Sequence, residues 1–164
     1  MTFTWRTRLK YAVLAGLAGW LAGWLATIPF VVGVAWRYVD AHANQLPDSL
    51  AKGLVVWGAF GFFMAMAGFV PLALPLFLCV SPRWIVRRRR FLIPGVTLVL
   101  TLALYYRMGL WSGYYFQHPR ILYSFFISAH NVFIIAFALV MMWVYTVLAK
   151  RRLSASAALA DTGR

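Results

Sequence analysis

In this 164-residue chain 63% of residues are hydrophobic and 12% charged, far from the roughly half-apolar, quarter-charged mixture of a soluble domain. Sixteen Lys and Arg stand against three Asp, giving a formal net charge of +13. A single cysteine, Cys79, excludes an intramolecular disulfide framework, a zinc knuckle and a CxxC redox pair.

On a soluble chain such a charge would suggest nucleic acid. Here the basic residues cluster at the ends of apolar runs, so they read as topology signals and contacts to anionic lipid headgroups, and no nucleic-acid partner is expected. Aromatic residues, 18% of the chain, suit a protein anchored at two lipid–water interfaces.

Met1 to Lys10 carries Arg6, Arg8 and Lys10 ahead of an apolar stretch from Tyr11 to Trp36. A signal peptide begins similarly, but its apolar region ends after about 7–15 residues at a small-residue cleavage site. Here the run continues through Ile28, Phe30, Val31, Val32 and Val34, so residues 11–36 are expected to be a retained first span. Arg37, Asp40, His42, Asn44, Gln45, Pro47 and Asp48 then form a polar connection ending near Lys52.

The second span, residues 53–80, is longer than the ~20 residues that cross a bilayer, so it must tilt, bend or project. Pro71 and Pro75 each remove a backbone donor, which predicts a bend in its second half. The run Arg87-Arg88-Arg89-Arg90 ends this hairpin, and a third span covers residues 91–110 with Arg107 near its far end. An aromatic connection containing Tyr114, Tyr115, His118 and Arg120 leads into a fourth span, residues 121–148, closed by Lys150-Arg151-Arg152. The Ala- and Ser-rich tail, residues 153–164, is expected to be disordered.

Charge counting orients the chain. One side holds Arg6, Arg8, Lys10, Arg83, Arg87 to Arg90, Lys150 to Arg152 and Arg164; the other holds only Arg37, Lys52, Arg107 and Arg120. With short loops the positive-inside rule places both termini in the cytoplasm. The expected architecture is all-α: a four-transmembrane-helix bundle, N-in and C-in. The preference for Arg over Lys together with abundant Ala resembles the usage of GC-rich bacterial genomes and implies a bacterial inner membrane. No segment alternates at period two, so a β-barrel is not supported.

Small residues form stripes. Gly19 and Gly23 recur with Ala15 in the first span, and Gly58, Gly61 and Gly68 with Ala65 in the second. Such stripes let helix backbones approach closely, either between these two helices or between copies of the chain. No Asp or Glu falls within a span, which argues against carboxylate-coupled transport, carboxylate metal sites and paired-carboxylate catalysis. No metal or cofactor is expected.

What remains at depth is His130 with Asn131, about 15 Å along the helix from Arg120. The plain reading is a neutral histidine hydrogen-bonded to a neighbouring helix; the functional one is substrate contact or proton exchange. Arg107 either snorkels to the headgroups or joins Arg120 and Arg37 in an outer basic ring that receives an anionic group. Arg87, Arg88, Arg89 and Arg90 either stop translocation or also bind phosphorylated lipid.

These features favour a small, non-enzymatic polytopic protein, an accessory subunit of a larger membrane complex or a self-associating bundle. The alternative is a transporter or flippase for an anionic or lipid-linked substrate. A membrane enzyme would have to recruit His118 or His130 without a carboxylate.

Overall fold

The computed structural model describes the backbone of residues 3–39, 46–111 and 120–161, and side chains within 3–33, 50–103 and 129–158. Among the described residues 96% are helical and none forms a strand. In chain order the helices are α1 (Trp5–Val39), α2 (Leu46–Gly68), a π-helical turn (Phe69–Ala73), α3 (Leu74–Cys79), α4 (Pro82–Arg87), α5 (Arg89–Trp111) and α6 (Arg120–Asp161).

Among the described residues three stretches are long and apolar enough to cross a membrane: Trp5–Gly33, Leu50–Cys79 and Ala129–Ala158. They correspond to the expected first, second and fourth spans. The expected third span falls on α5, helical over 23 residues, with side chains described only to residue 103. The architecture is therefore established as all-helical with three membrane-length helices.

Helix limits differ from the sequence reading where polar residues adjoin apolar ones. α1 begins at Trp5, so Arg6, Arg8 and Lys10 form its first turns, and α2 begins at Leu46, taking in Pro47 and Asp48. Proline is tolerated in a first turn because the N–H it lacks has no intrahelical acceptor there. α6 stays helical to Asp161 where an irregular tail is expected. Alanine is the best helix former, and the stretch from Ala155 to Ala160 extends a helix that is already nucleated.

The second span bends by a defined device. Pro71 and Pro75 cannot donate to the α-helical ladder, and around them the chain adopts the π-helical turn, closed by the Leu74 N–H donating to the Phe69 carbonyl. The helix then stops at Val80, whose extended backbone (φ −84°, ψ 141°) separates α3 from α4.

α1 and α6 form the central pair, and α2 packs on α1. A Cβ at Gly19 would meet Phe137 and Met141, and one at Gly23 would meet Phe133, so α1 and α6 run antiparallel. Trp20 and Trp24 donate their indole N–H groups to the carbonyls of Gly58 (3.1 Å) and Leu54 (3.2 Å), which fixes α1 and α2 as antiparallel too. Contacts of Trp57 with His130 and Phe77 with Tyr145 make α2–α3 parallel to α6.

Among the described residues every fully buried large side chain except Thr27 is apolar or aromatic, centred on Tyr145, Phe77, Phe137, Ile85, Leu100 and Met141. A lipid-facing exterior needs no polar coat, and Phe63 (71% exposed) and Phe91 (79%) stand on the outer surface of α2 and α5.

Candidate functional site

Among the described residues the buried polar side chains are Thr27, His130 and Thr146, and both threonines are satisfied by their own helix. Thr27 donates to the Trp24 carbonyl and Thr146 to the Trp143 carbonyl, 2.7 and 2.8 Å away. Thr97 and Thr101 donate in the same way to the carbonyls of Ile93 and Thr97. Hydroxyls used like this have committed their one donor to the backbone.

His130 and Asn131 differ. His130 lies on α6 where it faces α2 and is 5% exposed, and Asn131 follows it in the helix. Its ring meets Trp57 and Phe60 edge-on, with centroids 5.3 and 5.4 Å away. The imidazole is thus held in an aromatic bracket. The Asn131 Oδ1 is buried with no hydrogen-bond partner among the described residues. A buried acceptor without a donor costs about 1–3 kcal/mol, so this carbonyl is a point of strain or of use.

Arg37, Arg107 and Arg120, the expected outer ring, have side chains outside the described residues; their backbones fall near the ends of α1 and α5 and at the start of α6. His42 and His118 lie outside the described residues altogether. Among the described residues no group of three or more His, Cys, Asp or Glu comes together.

The glycines occupy helix contacts. Gly19 and Gly23 of α1 and Gly61 of α2 all meet α6, through Phe137, Met141 and Phe133, while Gly58 meets Trp24 of α1. Gly68 is buried at the end of α2, where the π-helical turn begins. The stripes therefore converge on α6 as well as on each other.

At the opposite end of the bundle from His130 the structure separates the four consecutive arginines. Arg88, at the break between α4 and α5, lies over the Trp84 ring at 5.8 Å. Arg89 lines a cleft with Val147, Lys150, Arg151 and Ser154 of α6. Arg87 and Arg90 are exposed.

The α3–α4 break at this end depends on two residues the sequence does not single out. Arg8 donates from Nη1 to the Leu78 carbonyl at 2.7 Å and, more weakly, to that of Val80 at 3.4 Å. The Tyr145 hydroxyl donates to the Phe77 carbonyl at 3.1 Å while its ring stacks on Phe77 with centroids 3.9 Å apart. These carbonyls end a helix, where backbone acceptors lack intrahelical partners.

The fold and its buried groups define an all-helical chain with the lengths and apolar surfaces of a membrane-embedded protein. No protein-family model matches it, and neither a curated protein nor a solved structure shows significant similarity to it.

Proposed function

We propose that this chain is a non-enzymatic, four-span membrane protein, N-in and C-in, that acts as an accessory subunit or a self-associating bundle. The observation that carries the functional reading is the use of its buried polar groups. The threonines bond their own helices, the tryptophans bond α2 carbonyls, and His130 is bracketed by Trp57 and Phe60. With no carboxylate in the spans, paired-carboxylate acid–base chemistry has no residues to use there.

The four-span count is supported by chain direction. Since α2–α3 and α6 run parallel, the chain must return along the bundle between Cys79 and Ala129. α5, about 34 Å long at 1.5 Å per residue, is the element able to do so. The charge asymmetry supports a cytoplasmic placement of the Arg8, Arg87–Arg90 and Lys150–Arg152 end in a bacterial inner membrane.

The test is extraction of the tagged full chain in mild detergent after crosslinking in its native membrane. A stoichiometric membrane partner or a defined homo-oligomer is the expected product. Recovery of the monomer alone, crosslinked to nothing, would overturn the association reading.

A second reading, a transporter or flippase for an anionic or lipid-linked substrate, is favoured by the Asn131 Oδ1 next to His130, which finds no hydrogen-bond partner among the described residues, and by the π-helical turn in the facing span. π-Helical turns recur at functional sites, and polar groups at membrane depth mark pathways. Under this reading Arg37, Arg107 and Arg120 form the outer entry.

A further inference from the structure

We propose that the basic end of the bundle carries a phosphate-binding groove between α5 and α6, formed by Arg89, Lys150, Arg151 and Ser154. On α6, Val147, Lys150, Arg151 and Ser154 recur at three- and four-residue spacing and so share one face. Arg89, the first residue of α5, lies across from them, and the cleft between measures about 470 Å³. That volume is within the range of roughly 300–1,000 Å³ typical of small-ligand pockets.

Three cations line this cleft and no carboxylate does. Asp161, the only acidic residue of α6, is eleven residues beyond Lys150, about 16 Å along the helix. Like charges gathered around one space repel, and an oxyanion between them reverses the sign of that interaction. The donor set suits phosphate: two guanidinium forks for paired oxygens, one ammonium as a point charge and one hydroxyl. The N-terminal end of the α5 dipole adds partial positive charge at Arg89.

The neighbouring arginines are not equivalent. Arg88 is engaged over Trp84, and Arg87 and Arg90 do not line the cleft. The binding chemistry thus belongs to a pairing of two helices distant in sequence, and the continuous Arg run contributes one residue. Val147 and the apolar spans lie directly beneath, so an occupant with acyl chains is accommodated; a soluble phosphate offers the same oxygens.

The experiment uses the full chain in neutral detergent, titrated with short-chain phosphatidylglycerol, with phosphatidylcholine of the same chains and with inorganic phosphate, and read by thermal shift and native mass spectrometry. Phosphatidylglycerol is expected to bind and stabilise more than phosphatidylcholine. Arg89→Gln and the pair Lys150→Gln/Arg151→Gln should each weaken it by about tenfold or more, while Arg90→Gln and Arg83→Gln stay within about twofold. Ser154→Ala removes a donor without altering charge and should weaken binding measurably, which a diffuse field would not predict. All these side chains are exposed, and unchanged elution and unliganded melting of the variants check that folding is intact.

Displacement of the lipid by millimolar inorganic phosphate would support the groove with a soluble phosphate as occupant; resistance to displacement would support it with a lipid headgroup. Equal weakening by Arg90→Gln and Arg89→Gln would overturn the proposal, as would binding of the zwitterionic lipid as tightly as the anionic one.

Discussion

The Arg8 guanidinium reaches the Leu78 carbonyl across 70 residues of sequence and closes a hydrogen bond that the backbone alone cannot make. In a continuous α-helix the donor to Leu78 would be the N–H of residue 82, and residue 82 is proline. The break at the end of the second span therefore creates an acceptor that α1 satisfies with a positive charge. A cation at a helix C-terminus also complements the helix dipole. Tyr145 does the same for Phe77 from α6, so both central helices hold the break.

Arg8→Met should lower stability in detergent by about 1.5–3 kcal/mol, the usual worth of a hydrogen bond to a charged group. Arg8→Lys should recover part of the loss because an ammonium still reaches one carbonyl. Arg6→Met, at an exposed position one residue pair earlier, should change stability by less than about 0.5 kcal/mol. Thermal unfolding of the three variants in one detergent measures the order, and equal losses for Arg6 and Arg8 would refute the capping role.

Tyr145→Phe keeps the ring on Phe77 and deletes only the hydroxyl bond. A loss of about 0.5–1.5 kcal/mol is expected, against about 3–5 kcal/mol for Tyr145→Ala, which also empties a fully buried ring site. Should the two variants melt alike, the stacked ring would contribute nothing beyond the hydroxyl.

Glycine positions give a graded test of packing. A methyl at Gly19 would come 2.6 Å from the Phe137 carbonyl oxygen and 2.9 Å from the Met141 Cβ, atoms fixed in α6. Gly19→Ala is expected to cost about 1–3 kcal/mol, and Gly19→Leu and Gly61→Leu more. Gly33→Ala and Gly95→Ala meet nothing within 4 Å and should be neutral or gain up to about 1 kcal/mol from helix propensity. Melting temperatures that failed to separate these two groups would contradict the close approach of α1 and α6.

The apolar runs, the carboxylate-free interior and the proline bend were legible because each is a local property of the chain. Three of the expected spans reappear as membrane-length helices, and Pro71 and Pro75 flank or enter a π-helical turn. What the sequence hides is pairing over distance. Nothing local distinguishes Arg8 from Arg6, or Arg89 from Arg90, until the fold sets one beside Leu78 and the other in a cleft with Lys150. The glycine stripes were visible as stripes, but their partner was not: most of the contacts run to α6, whose contributing residues are the large Phe133, Phe137 and Met141. The helices run past the expected span limits where charged or Ala-rich residues continue them, as at Trp5 and beyond residue 152.

The charge asymmetry predicts labelling from one side. In a Cys79→Ala background, cysteines introduced at Asn44 and Gln117 should react with an impermeant thiol reagent applied to intact cells, and one at Ser154 should not. Reaction of Ser154 alone would invert the orientation. Reaction at all three would refute the four-span count.

The buried acceptor on α6 separates the two functional readings. Asn131→Leu replaces the amide with an apolar group of similar size and removes an Oδ1 that lacks a donor among the described residues. Where that oxygen is only a packing residue, the change should stabilise the protein in detergent by about 1 kcal/mol and leave its partner complex intact. Where it serves a substrate, the same variant should still gain stability but lose function, since sites kept for activity are held at a cost to the fold. His130→Phe is the companion: it keeps an aromatic ring between Trp57 and Phe60, so a folded but inactive variant assigns the imidazole a chemical role and an active one assigns it packing. Melting in detergent, recovery of the crosslinked partner and complementation of a deletion strain are measured on both variants. Stable, partner-bound and complementing variants would remove the transporter reading. Destabilisation by Asn131→Leu would mean that the amide makes a bond on which the fold depends, and would refute the strain assigned to it.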